Sequence, residues 1–156
     1  MLSQTAEYAL RAMVALAAGK QQARTTQYLA QASRVPLDYL SKILNSLGKA
    51  GLVAAKRGRG GGFQTLRPAS ELTVLEVVSA VDPLKRIRTC PLGLKAHGAN
   101  LCPLHRKLDD AVRSVEEAFA ATTIESLVGV SFQDNTLPDN SLPGPFCEGD
   151  FCDAHA

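Results

Sequence analysis

Cys90, Cys102 and His105 are the residues of this chain best suited to chemistry. Cys102 precedes Pro103, a residue that opens helices, and the dipole and free N–H groups of a helix start favour a thiolate. His105 follows three residues later, so within a first helical turn it shares a face with Cys102. Cys-x-x-His at a helix start is half of a metal site, and Cys90 can close it from the preceding loop. The same thiols could instead act as a redox pair. Cys147 and Cys152 sit near His155 in a stretch rich in acid and read as spare thiols. No nucleophile–base pair is evident. Phe63 follows the glycines of Arg57-Gly58-Arg59-Gly60-Gly61-Gly62, where a phosphate-binding loop needs Lys and then Ser or Thr. An enzyme is not expected.

The elements that must position these groups are mainly helical. Residues 3–18 read as a first helix, with apolar Leu10, Met13, Val14, Leu16 and Ala17. Thr25 or Thr26 can cap a second, whose buried side is Leu29, Ala30 and Ala32. Ser33-Arg34-Val35 makes a tight connection, and Pro36 opens a third helix to about residue 50. Leu37, Leu40, Ile43, Leu44 and Leu47 form its apolar stripe, and Asp38, Ser41, Lys42, Asn45 and Lys49 its polar face. Gly51 ends it as a C′ glycine. Two short helices joined so tightly are a helix-turn-helix candidate.

A hairpin follows, with Leu52–Lys56 leading into the glycine turn and Phe63–Leu66 returning. Placed there it is a wing, tipped by Lys56, Arg57 and Arg59. Thr73 and Glu76 make a capping box for a fourth helix that Asp82-Pro83 ends. Residues 84–102 lack periodicity. Pro103 then starts a long helix to about residue 122, with a narrow stripe of Leu104, Leu108, Ala111/Val112, Val115 and Ala118/Phe119. A stripe of that width suits a partner helix from a second subunit. Residues 124–128 can add a helical turn, and 129–156, with five acidic and no basic residues, are expected to be poorly ordered.

Composition narrows the class. The 156 residues are 46% hydrophobic and 21% charged, the size of one domain with appendages. No apolar run reaches the ~18–20 residues of a membrane span, and the N-terminus has no secretory pattern, so no membrane is involved and the cytoplasm is expected. In that setting the four cysteines do not read as a disulfide framework. The net charge of +2 hides a split: residues 1–67 carry 10 Lys/Arg and 2 Asp/Glu, whereas 68–156 carry 7 and 13. A half at +8 beside a half at −6 suggests that the first faces nucleic acid. Lys42, Lys49, Lys56 and Arg59 would neutralise phosphates, and Ser41 is short enough to reach a base edge.

The segments AEYALRAMVALA, YLSKILNSLGKAGLV, RGRGGGF and TVLEVVSAVD, in this order and spacing, resemble the Rrf2 family of winged-helix regulators (IscR-, NsrR- and CymR-like) over roughly residues 1–128. The resemblance implies a homodimeric transcription factor, expected to be a repressor, that binds a pseudo-palindromic operator in double-stranded DNA. It places residues 1–83 as the winged helix-turn-helix domain, 84–102 as a sensor loop and 103–128 as the dimerisation region. The third helix would enter the major groove with Asp38, Tyr39, Ser41 and Lys42 near bases or phosphates, and Arg57 would enter the adjacent minor groove. Thr26 joins them at the start of the second helix.

Many family members hold an iron–sulfur cluster on three loop cysteines plus a His or carboxylate. Here Ala96 stands where a middle cysteine would fall, with His97 beside it. The resemblance therefore implies Cys90, Cys102 and His105 as ligands, with the fourth from His97 or from Glu7, whose position supplies a carboxylate across the dimer in some members. Two thiolates with nitrogen ligation suit a [2Fe–2S] cluster, and the same groups suit tetrahedral zinc. The expected function is a regulator whose operator affinity follows cluster, redox or nitric oxide status. The alternatives are a cluster-free regulator sensing through thiols or zinc, and a module that docks an acidic protein.

Overall fold

A computed structural model describes residues 2–19, 21–89 and 101–132, without the side chains of 129–132. Its elements are α1 (Gln4–Ala18), α2 (Thr26–Ser33), α3 (Leu37–Lys49), β1 (Val53–Lys56), β2 (Gly62–Thr65), α4 (Val74–Val81), α5 (Pro103–Ala121) and α6 (Ile124–Phe132). The chain is therefore mainly α with a small β-hairpin wing.

Helix α1 is the centre of the fold, packed by α2, α3, α4 and α6. Ser3 caps it, its hydroxyl accepting from the Ala6 N–H at 3.2 Å. Ala6, Ala9 and Ala12 are fully buried with Met13, Val14 and Leu16, whereas Leu10 is only half-buried. Small side chains let neighbouring helices approach α1 closely, a face that a search for large apolar residues overlooks.

Thr25 caps α2, its hydroxyl accepting from the Tyr28 N–H. The helix ends at Arg34, which takes a left-handed φ of 52° while its N–H donates to the Gln31 carbonyl and that of Val35 to the Ala30 carbonyl. This two-bond closure is the tight connection of the helix-turn-helix. Pro36 caps α3 from just outside rather than forming its first turn. Leu40, Ile43, Leu44 and Leu47 are buried as their spacing requires, but Leu37 is 44% exposed. Gly51, at φ 72°, closes α3 with bonds from its own N–H to the Gly48 carbonyl and from Leu52 to Leu47.

Strands β1 and β2 pair antiparallel, Val53 opposite Thr65 and Lys56 opposite Gly62. Nothing in the local sequence announces the third partner: Arg24 bridges Phe63, tying the wing to the start of α2. Thr73 and Glu76 form the expected capping box. Arg67 adds an ion pair to Glu76 at 2.6 Å. Burial raises the Glu76 pKa, but hydrogen bonds from the Thr73 N–H, Arg67 and the Thr73 hydroxyl outweigh it and hold the carboxyl below its ordinary value.

No residue of helix α5 is fully buried, and Leu104 and Leu108 on its apolar stripe are exposed. Its end returns to the body: the Val74 N–H donates to the Thr122 carbonyl at 2.9 Å and the Ile124 N–H to the Leu72 carbonyl at 2.8 Å. Ile124 is fully buried. Helix α6 runs to Phe132, so 129–132 belong to a helix rather than to the tail expected from residue 129. Residues 133–156, with Cys147 and Cys152, lie outside the described residues, as do Cys90 and His97.

Candidate nucleic-acid interface and sensor site

The polar face of α3 and the hairpin tip gather the basic half of the chain. Asp38, Ser41, Lys42 and Lys49 on α3, and Lys56, Arg57 and Arg59 on the wing, are all exposed. None of these cations forms a salt bridge among the described residues. The Ser41 hydroxyl donates to the Leu37 carbonyl at 3.0 Å, which leaves its oxygen able to accept from a base edge. Tyr39 packs edge-on against Tyr8, with ring centroids 5.7 Å apart, and its hydroxyl lies 3.4 Å from that of Thr5. It is thus partly committed to α1. Thr26, in the first turn of α2, is half-buried.

Two neighbours of this face differ from the sequence reading, Leu37 because its spacing places it in the buried stripe and Arg24 because no pattern marks it. Leu37 presents an apolar side chain at the start of α3. Arg24 stacks its guanidinium 4.9 Å from the centre of the Tyr28 ring, at the junction of α2 and wing. The Arg24 Nε is buried without a hydrogen-bond partner among the described residues.

The glycines make the hairpin possible. Gly58 and Gly60 have φ of 95° and 72°, and a Cβ on either would meet nothing within 4 Å. Gly62 differs, because a Cβ there would stand 2.1 Å from the Arg24 carbonyl oxygen. Only glycine permits that approach.

At the other end of the chain, Cys102 caps α5 and is 8% exposed. Its sulfur lies 3.1 Å from His105 Nδ1, so the helical spacing brings the two together as expected. Both are soft or borderline donors suited to iron or zinc. Glu7 is exposed on α1. Among the described residues of one chain, no group of three or more His, Cys, Asp or Glu side chains is placed to hold a metal. The pair Cys102–His105 is therefore half a donor set.

Nothing in the sequence pattern singles out Arg86, which holds the chain beyond α4 against α5. Its Nε and Nη2 donate to the two oxygens of Asp109 at 2.7 and 2.6 Å, and its Nη1 to Glu116 at 3.2 Å. Hydrogen bonding from Arg86 outweighs burial and holds the Asp109 carboxyl at about 2, while Asp109 chiefly pushes the Arg86 pKa further up.

A tight two-helix unit, an exposed polar recognition face and a basic hairpin docked beside it define a winged-helix DNA-binding protein. The family model of Rrf2, described as an iron-dependent transcriptional regulator, matches residues 2–129. The chain belongs to the Rrf2 family of transcriptional regulators. It is 38% identical over 133 residues to a Mycobacterium tuberculosis protein provisionally named HTH-type transcriptional regulator Rv1287, covering 82% of this chain and 81% of that one. It is also 38% identical over 84 residues to the HTH-type transcriptional regulator IscR of Cereibacter sphaeroides, 52% of this chain and 54% of the relative. Among solved structures, CymR, the global cysteine regulator of B. subtilis, superposes with a TM-score of 0.68 at 21% identity, over 83% of this chain and 96% of that one. IscR of T. potens gives 0.66 at 20%, over 83% and 86%. These two likenesses establish the fold. Its membership of the family makes the protein a DNA-binding transcriptional regulator and not an enzyme. No helix among the described residues is long and apolar enough to cross a membrane.

Proposed function

We propose that the chain is a cytoplasmic, homodimeric regulator whose affinity for a pseudo-palindromic operator is set by an iron–sulfur cluster, [2Fe–2S]. The observation that carries this reading is the approach of Cys102 Sγ to His105 Nδ1 at the start of α5. A thiolate and an imidazole converging on one point are a ligand pair for one metal, and the family description is iron-dependent. Cys90 completes the thiolate pair, with Glu7 of a second subunit or His97 as the fourth donor. When bound, the cluster supplies a site whose charge and ligand demand change with redox state, nitric oxide or iron supply.

The rest is done by the chain itself. Lys42, Lys49, Lys56 and Arg59 neutralise phosphates and fix the register. Asp38, Tyr39 and Ser41 of α3, with Thr26 of α2, face the major groove, and Arg57 the minor groove. The stripe of α5 pairs two chains, so two half-sites are read about one helical turn apart. Occupancy at the start of α5 shifts the balance between two dimer geometries by the difference in affinity for them.

The test is anaerobic preparation with iron and sulfide measured per chain. Visible absorption typical of iron–sulfur proteins, with about two irons and two sulfides per chain, is expected, and Cys102→Ala and His105→Ala are each expected to lose most of it. A colourless protein after reconstitution overturns the cluster. The same close Cys102–His105 pair favours one second reading, a zinc or thiol sensor, because that contact suits a zinc ligand pair or a reactive thiol without iron.

A further inference from the structure

Asp109 lies four residues after His105 and Glu116 seven after Asp109, so with Val112 they form one stripe of α5 that begins beside Cys102. Arg86 grips this stripe at two levels, and the Ile87 N–H adds a bond of 2.9 Å to Asp109. The Asp109 side chain is only 16% exposed. A fork of two parallel bonds tolerates little sliding, so its worth is geometric register more than stability. Arg86 follows the end of α4 by five residues. Helix α4 packs on α3, and its last residue, Val81, lines one shallow cleft with Tyr39, Lys42, Ile43 and Ser46 of α3. The far end of α5 is held separately by the backbone bonds at Thr122 and Ile124.

We propose that Arg86 is a positioning residue that couples the Cys102–His105 end of α5 to the recognition helix. It locks the chain leaving α4 onto the stripe that starts at those two ligands, so a displacement of α5 is felt at the α4–α3 contact beside Lys42. Rigid elements joined by a specific fork transmit a shift that a flexible loop would absorb. This inference rests on the sensor reading above.

The experiment uses the full chain in two states, reconstituted anaerobically with iron and sulfide, and metal-free after chelation and reduction. The probe is a duplex selected by the wild-type protein from a randomised library. The quantity read is the ratio of Kd between the two states, expected to be about tenfold or more in the wild type. In Arg86→Gln the ratio is expected to fall to about threefold or less, with iron content unchanged and the folded state retained by circular dichroism, and Arg86→Lys, which keeps one bond, to fall between. A full ratio in Arg86→Gln overturns the coupling, and so does loss of its iron, which would place Arg86 in the site itself. A ratio near one in the wild type also overturns it, and differs in saying that no signal leaves Cys102 and His105 at all. Should Arg86→Gln fail to fold, Asp109→Asn, which keeps an acceptor for Ile87, decides by the same criterion.

Discussion

The backbones of Arg24 and Phe63 exchange two hydrogen bonds of 2.8 Å, N–H to carbonyl in each direction. The wing is thereby docked through β2 onto the start of α2. Its weak point is Gly62, whose neighbour carbonyl at Arg24 leaves no room for a Cβ and whose φ of 144° suits only glycine. Gly62→Ala should separate wing from α2 and cost about 2 kcal/mol or more in stability, measured by urea unfolding. Gly60→Ala, with open space around it, should cost only about 1–2 kcal/mol, the strain of a left-handed residue. Equal effects would mean that the docking contributes nothing.

On DNA the two parts of the interface should behave differently. Lys42→Ala is expected to weaken all duplexes alike and to lower the slope of log K against log salt by about 1. Arg57→Ala should lose affinity chiefly for operators with A·T-rich flanks, where the narrow minor groove concentrates negative potential. Fluorescence anisotropy over a salt series separates them. An unchanged slope removes Lys42 from the phosphates, and equal loss on G·C flanks removes Arg57 from the minor groove.

Local chemistry was legible in the sequence and distant pairing was not. The apolar stripe Leu40, Ile43, Leu44 and Leu47, the capping box of Thr73 and Glu76 and the turn at Gly51 each depend on residues within one or two helical turns. The Cys102–His105 contact depends on a three-residue spacing and was readable for the same reason. The Arg24–Phe63 bridge and the Arg86–Asp109 fork, 23 residues apart in the latter case, leave no periodic trace. Leu37 fits the stripe of α3 by spacing alone, yet it stands exposed at the helix start, where periodicity does not tell covered from uncovered positions. The proposed pairing of Glu7 with Cys102 across two subunits is of a kind that no single-chain pattern encodes.

The Arg86–Asp109 pair makes a pH prediction of definite sign. The folded-state pKa of Asp109 is depressed from 3.8 to about 2, first by the hydrogen bonds from Arg86 and against the opposing effect of burial. A depressed carboxyl contributes its full stabilisation above the unfolded value and loses it as the pH falls through the folded one. The stability difference between wild type and Asp109→Asn should therefore be flat from about pH 5 upward and vanish between about pH 4 and 2. Chemical denaturation at a series of pH values measures it. A difference that instead grows toward acid would mean that the carboxylate is not the form Arg86 holds.

Leu104 and Leu108 stand 61% and 46% exposed on a helix with no fully buried residue. In the proposed dimer each leucine occurs twice across a two-fold axis, and with about half of each side chain left to cover, burying one residue type is worth about 1.5–3 kcal/mol, taking 1.5–3 kcal/mol for a fully buried side chain. Leu108→Glu should raise the dimer dissociation constant about 100-fold or more, seen as a shift to monomer in sedimentation equilibrium. The helical content should persist, because Leu108 contributes little to the core of its own chain. Operator affinity should fall with the dimer, since one winged helix contacts only one half-site. A Leu108→Glu protein that remains dimeric would place the subunit interface on another face.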